Sequence, residues 1–296
     1  MNRNKILILG ATGMLGHVLF LRLSESKDLD VYGTVRNLEV ISEWLSPKHL
    51  LKLDGNVEAE SVDSVLGLLV RLKPDQVVNC IGIIKKAPAA RDPLISIYIN
   101  ALFPHRLALA CKAVGARLIQ ISTDCVFSGS KGNYNELDQS DATDLYGRTK
   151  FLGEVSYPYT ITLRTSIIGH ELRGKYGLVE WFLARQGEIK GFARAIYSGL
   201  TTVEFSRIIM EYVIPNEELN GLYHVSSDPI SKYELLKLIA QRYNKRIRIE
   251  PDEDFRLDRS LDSTLFRKAT RYSPPNWPEL IDSMHHDWEE NEAYKQ

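Results

Sequence analysis

The chain lacks the features that mark several common classes of protein. Its 37 basic and 38 acidic side chains give a formal net charge of −1, so no overall field favours nucleic acid or a membrane surface as a partner. The three cysteines, Cys80, Cys111 and Cys125, have neither metal-ligand spacing nor that of a disulfide framework, and we expect them to pack in apolar surroundings. No apolar run approaches the length of a membrane span.

We also find no targeting or linker segment among the 296 residues. The apolar run Ile6–Leu9 is too short for a signal peptide and breaks at a glycine, so it indicates a strand and leaves the cytoplasm as the expected location. No repeat or Gly/Ser linker divides the chain, which favours one large α/β domain with a smaller part packed on it and closing a cleft. His105, His170 and the pair His285–His286 have no partners at metal-ligand spacing, so we predict no metal site.

Short apolar runs alternate with helical patterns through the first half of the chain. Buried strands are predicted at Lys5–Leu9, Asp30–Val35, Leu51–Asp54, Gln76–Gly82, Arg117–Ser122 and Ile161–Arg164. Helices are predicted through Val18, Leu19 and Leu23 and at Glu58–Leu72, Asn100–Ala113 and Asp144–Glu154. This order indicates an α/β fold with a doubly wound parallel sheet and right-handed crossovers, the Rossmann fold.

The pattern is looser beyond Ser166. Helices are predicted at Glu180–Gln186, Glu204–Val213 and Lys232–Tyr243, and strands at Gly221–Val225 and Arg246–Ile249. We expect Pro274, Pro275 and Pro278 to break the tail, because proline cannot continue a helix that precedes it. The second half is therefore predicted to form a smaller α/β part.

A glycine-rich loop joins the first strand to the first helix, which is the context that a dinucleotide site needs. The spacing is G-x-x-G-x-x-G: Gly10 permits a tight turn, Gly13 lets the backbone approach a pyrophosphate, and Gly16 permits close helix packing. The helix N-terminus would add amide groups and a positive dipole for the phosphates. We assign these loop residues to the cofactor: Gly10, Thr12, Gly13, Met14, Leu15 and Gly16.

The end of the second strand decides which dinucleotide is favoured. NAD sites place an acidic side chain there, whereas this chain has Arg36, whose guanidinium can pair with a 2′-phosphate. We therefore prefer NADPH over NADH, with an exposed, non-binding Arg36 as the alternative. Asp54 ends the third strand and is placed near the adenine. The end of the fourth strand is also assigned to the cofactor, at Asn79, Cys80, Ile81 and Gly82.

Tyr146 and Lys150 are four residues apart in the predicted helix Asp144–Glu154, for which Asp144 is a candidate N-cap. Side chains at this spacing share a face, and a neighbouring cation would lower the pKa of the tyrosine and make it a usable proton donor. The alternative is an amphipathic helix with a surface tyrosine and lysine. Thr123, at the end of the fifth strand, lies where open parallel sheets bind ligands.

Taken together, these parts resemble the extended short-chain dehydrogenase/reductase superfamily. Within it the chain is most similar to the dTDP-4-dehydrorhamnose reductase family. STDCVFSG at Ser122–Gly129 resembles the family's STD-x-VF-x-G, and the tripeptide at Tyr134–Glu136 resembles its Y-x-E. YGRTKFLGE resembles its YG-x-(S/T)K-x-x-GE, and LRTSIIG at Leu163–Gly169 is similar to its segment after the sixth strand. The likeness covers nearly the whole chain and is most specific in the first half.

The resemblance implies NADPH-dependent reduction of a dTDP- or UDP-linked 4-keto-6-deoxy-sugar in polysaccharide or O-antigen sugar synthesis. Thr123 would bond the ketone oxygen, Tyr146 would protonate it, and Lys150 would hold the nicotinamide ribose and tune Tyr146. Asn100 matches an asparagine beside the site. We expect no nucleic-acid or membrane partner and leave a homodimer open.

The substrate would lie mainly on the second half of the chain. We place an NADP-binding Rossmann domain at 1–165 and the substrate-binding part at 166–296, with the segment at about 200–226 returning to the first domain. Thr123, Asp124, Cys125 and Arg259 are assigned to the sugar-nucleotide. Arg256 and Arg259 either hold its diphosphate or are solvated, and these alternatives have equal weight.

The chain departs from the family at two places. Cys125 occupies the usual position of a tyrosine, and Asn79 is followed by larger residues than the family has there. An epimerase or 4,6-dehydratase of the same superfamily is one alternative, although dehydratases use an Asp-Glu pair where this chain has Asp124 and Cys125. A non-catalytic, NADP-binding regulatory subunit is another, because fold and motif do not prove turnover.

Overall fold

The computed structural model describes residues 3–85, 88–174 and 176–294. Its strands are β1 (Asn4–Leu9), β2 (Leu29–Thr34), β3 (Leu53–Asp54), β4 (Gln76–Asn79), β5 (Arg117–Thr123), β6 (Thr160–Thr165), β7 (Ile167–Ile168), β8 (Glu188–Tyr197), β9 (Leu200–Thr201), β10 (Gly221–His224), β11 (Ile230–Ser231) and β12 (Arg248–Asp258). Its helices are α1 (Gly16–Ser24), α2 (Leu38–Ile41), α3 (Pro47–Leu50), α4 (Val62–Leu72), α5 (Pro93–Ser96), α6 (Phe103–Val114), α7 (Leu145–Leu152), α8 (Leu178–Leu183), α9 (Thr202–Ile208), α10 (Lys232–Arg242), α11 (Thr264–Thr270) and α12 (Trp277–Glu290).

Seven parallel strands form the main sheet, in the order β10-β6-β5-β4-β1-β2-β3. Both of its faces are covered, which is why β1 is a continuous apolar run. Ile6 and Ile8 of β1 pack into the core on one face, with α1, α9 and α12, whereas Leu7 and Leu9 pack into the core on the other, with α4 and α6. The order and direction of the strands confirm the predicted fold class.

The second half of the chain contributes to the main sheet and forms two smaller sheets, one of which pairs only the short strands β7 and β9. β10 pairs with β6 at the edge of the main sheet, while β11, β8 and β12 form a separate three-stranded sheet. The ten-residue β8 was not predicted, and β12 is longer than the predicted strand at Arg246–Ile249. β12 contains Pro251 and a register shift between Asp252 and Arg256, features that an edge strand tolerates but that obscure its sequence pattern.

Among the predicted helix boundaries that differ from the structure are the start of α4 and the end of α7. The helix predicted at Glu58–Leu72 begins only at Val62, after Ser61. The helix predicted at Asp144–Glu154 ends at Leu152, and the next residue, Gly153, packs so closely that a Cβ on it would lie 1.9 Å from the backbone oxygen of Asn100. Glycine is therefore required where the end of α7 packs against the segment that contains Asn100.

Pro274 and Pro275 lie in the irregular segment between α11 and α12, as predicted, but a helix forms at Pro278, where we also predicted a break. Pro278 lies in the first turn of α12, where the missing amide hydrogen has no helical acceptor to lose. Asn276 caps the helix by accepting the amide hydrogen of Glu279, whose side chain accepts the amide hydrogen of Asn276 in return. This capping box begins a 14-residue helix that packs into the main core.

The helical run Pro93–Val114 is long and apolar enough, by composition alone, to span a membrane, although we expected no run of that length. It comprises α5, a π-helical segment at Ile97–Leu102 and α6. More than half of its most apolar window, 56%, is buried inside the protein. The run is therefore a core helix, and its apolar composition serves packing against the sheet.

Candidate functional site

The glycine loop after β1 is shaped by close backbone packing. Gly10 has a φ of +81°, which L side chains rarely adopt. A Cβ on Gly16 would lie 2.0 Å from the carbonyl oxygen of Gly10, so only glycine lets α1 begin there. The loop presents its backbone at the N-terminus of α1, where phosphate groups bind favourably. The other loop residues are Thr12 and Gly13, which are exposed, Met14, which is half-buried, and Leu15, which is buried.

Two side chains are predicted to contact the adenosine half of the cofactor. One lies just after β2, and the other ends β3. Arg36 is exposed just beyond the end of β2. Asp54 ends β3, and its carboxylate accepts a hydrogen bond from Arg71 of α4. Because β1, β2 and β3 are parallel, both side chains lie at the sheet edge that carries the glycine loop. The charge of Asp54 is already matched by a partner, whereas Arg36 faces solvent.

Asn79 turns the chain at the end of β4. Its Nδ2 donates to Oε1 of Gln120 at 2.8 Å, and its Oδ1 accepts the amide hydrogen of Ile81 at 3.1 Å. The strand therefore ends here and does not continue to Gly82 as we predicted. Cys80 is half-buried, and burial raises the pKa of its thiol to about 12, so the thiol is neutral.

Three residues assigned to the cofactor, Gly82, Asn100 and Lys150, meet at this edge. A Cβ on Gly82 would lie 3.4 Å from Oδ1 of Asn100 and 4.0 Å from Nζ of Lys150. Asn100 is fixed by the backbone of Ile83, because its Oδ1 accepts at 2.8 Å and its Nδ2 donates at 3.1 Å. The backbone at residue 82 therefore lies close to both Asn100 and Lys150.

Lys150 lies on α7, on the side that faces β5. Asp144 caps this helix as predicted, with its Oδ1 accepting the amide hydrogen of Gly147 at 3.2 Å. A Cβ on Gly147 would lie 2.3 Å from the backbone oxygen of Cys125, which shows how closely α7 packs on the segment after β5. Lys150 is buried, and its Nζ donates to the backbone oxygen of Ile121 at 2.7 Å. Burial lowers the pKa of its ammonium group to about 8.

Tyr146 is half-buried on the same helix. We expected the neighbouring cation to lower its pKa, and this was wrong: burial raises the pKa of the phenol above its ordinary value, against a smaller lowering by the Thr123 hydroxyl. Removing the phenol from water disfavours its charged form, and the nearby carboxylates of Asp124 and Asp144 raise the pKa further. Tyr146 therefore keeps its proton at neutral pH, as a proton donor must.

The segment after β5 forms a tight polar turn. The Thr123 hydroxyl donates to Oδ1 of Asp124 at 3.1 Å and accepts the amide hydrogen of Cys125 at 3.1 Å. Asp124 is buried, and burial raises the pKa of its carboxyl group, while Arg259 and Lys232 lower it. Cys125, expected in apolar surroundings, lies instead beside charged groups, and burial raises its pKa to about 12. Both Thr123 and the neutral thiol remain protonated.

The structure separates the two arginines that the sequence could not distinguish. Arg259 is half-buried, its Nε donates to the backbone oxygen of Phe127 at 2.8 Å, and its Nη1 lies 3.4 Å from Sγ of Cys125. Arg256 is exposed on β12, in register with Arg194 of β8. Arg259 thus lies beside the polar turn after β5, and Arg256 does not contact it.

Lys232 supplies a second cation near Asp124, one that the sequence did not indicate. It is half-buried at the start of α10, directly after β11, and its charge lowers the pKa of the Asp124 carboxyl. β11 and β12 flank β8 on opposite sides, so Lys232 and Arg259 follow the two outer strands of the small sheet. No local motif marks Lys232, because only the pairing of these strands brings it near the site.

A buried ion pair between Glu154 and Arg164 stabilises the end of β5, where the polar turn begins. Oε1 of Glu154 accepts from Nε of Arg164 at 2.7 Å and from the Ser122 hydroxyl at 2.6 Å, and Oε2 accepts from Nη2 of Arg164 at 2.6 Å. The two charged side chains are 10% and 3% exposed. Ser122 precedes Thr123 on β5, so this pair fixes the strand end. Both charged residues lay in segments that carried the resemblance, but no role was predicted for them.

The Y-x-E segment joins this network to β10. His224 accepts from Nη1 of Arg164 through Nε2 at 3.2 Å and donates from Nδ1 to the backbone oxygen of Tyr134 at 2.9 Å. Burial lowers the pKa of His224 to about 4, so it is neutral. Glu136 accepts the amide hydrogen of His224 at 2.8 Å, and the Tyr134 ring stacks on Phe127 at 4.1 Å. These contacts pack the loop after the turn against the edge of the main sheet.

The family comparison accounts for nearly the whole chain. The model of the RmlD substrate binding domain matches residues 4–288. The chain belongs to the dTDP-4-dehydrorhamnose reductase family of extended short-chain dehydrogenases/reductases. Within the described ranges 3–85, 88–174 and 176–294, no group of three or more His, Cys, Asp or Glu side chains could hold a metal ion.

The relatives of this chain include proteins named as reductases and proteins named as a subunit of another enzyme. A dTDP-4-dehydrorhamnose reductase of Streptomyces griseus is 35% identical over 153 residues, which cover 51% of this chain and 44% of that protein. The match therefore spans less than half of that relative's length. Methionine adenosyltransferase 2 subunit beta of Danio rerio is 26% identical over 81% of this chain and 74% of its own.

The fold of the family is also seen in solved structures. The crystal structure of dTDP-4-dehydrorhamnose reductase from Bacillus anthracis, in complex with NADP, has a TM-score of 0.80 to this chain. It is 22% identical, and the match covers 97% of this chain and 100% of the other. At this identity the likeness shows a shared fold, and the roles of individual residues remain predictions.

Proposed function

We propose that this protein is an NADPH-dependent reductase of a nucleotide-linked 4-keto-6-deoxy-sugar, with a dTDP or UDP carrier. The observation that carries the proposal is the geometry at the carboxyl edge of the main sheet. There Lys150 lies beside Gly82, and a protonated Tyr146 lies beside the Thr123 hydroxyl. These residue types suit a ketone reduction, and the alternative of a surface tyrosine and lysine does not account for the burial of Lys150.

The glycine loop would bind the pyrophosphate of a dinucleotide at the N-terminus of α1. A side chain at Gly10 or Gly16 would obstruct the backbone turn that places the loop there. Arg36 would pair with the 2′-phosphate and Lys150 with the nicotinamide ribose. The bound cofactor would supply the hydride that reduces the ketone carbon. The Rossmann domain at 1–165 therefore takes the cofactor in this proposal, and the part at 166–296 takes the substrate.

Two side chains of the protein would stabilise and protonate the ketone oxygen. As negative charge develops there, the Thr123 hydroxyl donates a hydrogen bond and Tyr146 transfers its proton, which is most favourable in the transition state. Burial keeps Tyr146 protonated until that step. The positive charge of Lys150 favours the phenolate that remains, so a raised resting pKa and an efficient transfer are compatible.

Arg259 and Lys232 provide the positive charge that a nucleotide diphosphate requires. Both act on the buried Asp124, so the local charge is positive overall when a substrate phosphate enters. Cys125 stands where the family pattern has a tyrosine and leaves more room beside Arg259. A cytoplasmic location and a role in polysaccharide sugar synthesis are further parts of this proposal, and the oligomeric state stays open.

The test is turnover of defined substrates. We would incubate the protein with NADPH and a panel of dTDP- and UDP-linked 4-keto-6-deoxy-sugars, including 2-acetamido forms, and follow the loss of NADPH absorbance. Stoichiometric NADPH oxidation with one or more of these sugars is expected. Interconversion of sugars without net NADPH oxidation would indicate an epimerase instead.

A second candidate is a non-catalytic, NADP-binding subunit. It is favoured by the likeness to a methionine adenosyltransferase subunit over 81% of this chain. Tight NADPH binding without turnover of any sugar in the panel would support it and would contradict the reductase proposal.

The cofactor choice gives a separate prediction. Arg36→Ala should weaken NADPH binding about 10- to 100-fold, because a charge-assisted bond to phosphate contributes about 1.5–3 kcal/mol. NADH lacks the 2′-phosphate, so its binding should change by less than about twofold and serves as the internal control. Dissociation constants from cofactor fluorescence would decide. An equal loss of affinity for both cofactors, or a preference of the wild type for NADH, would show that Arg36 does not bind the 2′-phosphate.

A further inference from the structure

The glycine loop is connected to the C-terminal end of the described chain by a buried histidine. His17 lies in the first turn of α1 and is fully buried. Its backbone nitrogen and its Nδ1 both form hydrogen bonds with the carbonyl oxygen of Gly13, over 3.1 and 2.8 Å. Its Nε2 meets the hydroxyl of Tyr294 at 2.6 Å. Tyr294 belongs to a helical turn, Glu292–Tyr294, that follows α12.

The hydrogen-bond roles in this chain of contacts are fixed by chemistry. A carbonyl oxygen can only accept, so Nδ1 of His17 carries a hydrogen and donates to Gly13. Burial lowers the pKa of His17 to about 4, so the ring is neutral and Nε2 is an acceptor. The Tyr294 hydroxyl therefore donates to Nε2. Any loss of that hydroxyl leaves a buried ring nitrogen without its donor.

Tyr294 is held in place by a cluster of rings. Its ring centroid lies 5.6 Å from that of His17 and 5.4 Å from that of His170. His170 is fixed in turn, because Nδ1 donates to Glu180 at 2.6 Å and Nε2 meets the Tyr243 hydroxyl at 2.7 Å. The partner of His17 is thus a positioned side chain with little freedom to move away.

We propose that Tyr294 is a positioning residue for the dinucleotide site, which acts through His17 to fix the glycine loop in the conformation that receives the pyrophosphate. Gly13 is exposed and has no side chain to hold it, so its carbonyl is oriented by the two donors of His17. The part of this proposal that concerns cofactor affinity rests on the proposed function, whereas the part that concerns loop rigidity does not.

The first test uses the protein without cofactor. In Tyr294→Phe, amide hydrogen exchange in the peptide that spans Gly10–His17 should be at least about threefold faster than in the wild type, because the ring that restrains the loop has lost its hydrogen bond. Tyr272→Phe is the matched control, since it removes another hydroxyl that donates within the protein, to Glu204 at 2.9 Å. Exchange in the loop peptide should not change in the control.

The second test measures NADPH binding by fluorescence. Tyr294→Phe should raise the Kd for NADPH about three- to tenfold, which corresponds to the net contribution of one hydrogen bond to binding. The Kd of Tyr272→Phe should stay within about twofold of that of the wild type. A chain that ends at Asn291 should weaken binding at least as much. His17→Gln removes the imidazole acceptor of the Tyr294 hydroxyl in the full-length chain, and the same loss of affinity is expected, so the proposal stays testable if Tyr294→Phe does not fold.

The outcomes separate this proposal from the assigned function. Unchanged exchange and unchanged NADPH affinity in Tyr294→Phe would overturn the proposal, as would faster exchange with unchanged affinity. If the wild type bound no NADPH but the exchange result held, the loop contact would stand and the cofactor assignment would fail.

Discussion

Replacing Tyr146 by phenylalanine should lower kcat about 10²- to 10⁴-fold with a 4-keto sugar that the wild type turns over. The phenol keeps its proton in the resting site because burial raises its pKa. It can then transfer that proton as the alkoxide forms, and phenylalanine has none to give. The binding of NADPH should be preserved, since the ring and the packing of α7 remain. Steady-state kinetics with cofactor fluorescence would measure both effects.

Two comparisons make this result interpretable. Thr123→Ala should fall between the wild type and Tyr146→Phe, because it removes one of two donors to the same oxygen. Tyr157→Phe is a matched control: its hydroxyl lies 3.2 Å from Nδ1 of His105, and its loss should leave kcat within about twofold. Turnover by Tyr146→Phe at a rate near that of the wild type would refute the assignment of the proton donor.

Replacing Glu154 by glutamine should lower the free energy of unfolding by about 3–5 kcal/mol, because it leaves the buried guanidinium of Arg164 without its counter-charge. Arg164 is only 3% exposed, so water cannot replace the lost partner. The Ser122 hydroxyl also loses its charged acceptor. Urea unfolding followed by circular dichroism would measure the change.

An exposed ion pair provides the matched control for this prediction. Arg194 and Glu253 lie 2.7 Å apart, but their side chains are 46% and 60% exposed, so Glu253→Gln should change stability by less than about 1 kcal/mol. The double variant Glu154→Gln/Arg164→Met should recover part of the loss, because no unpaired charge remains. A loss for Glu154→Gln as small as that of the control would mean that Arg164 finds another partner or remains hydrated.

The sequence by itself determined the fold class and the local parts of the candidate site. The continuous apolar strands, the glycine loop and the capped helix with Tyr146 and Lys150 are short-range features, set by steric limits on glycine, by capping and by side-chain periodicity. Such features need only neighbouring residues, so the order of amino acids is enough to recognise them. The catalytic and binding roles assigned to these residues remain predictions.

The tertiary structure decided what depends on residues far apart in the chain. β8 and α12 were missed because strand pairing and burial stabilise them, while their own sequences carry prolines or weak patterns. Which of Arg256 and Arg259 reaches the turn after β5, and that Lys232 joins it, follows from how β8 pairs with its neighbours. The raised pKa of Tyr146 has the same origin: desolvation depends on every group packed around the phenol, so spacing along one helix could not give its sign.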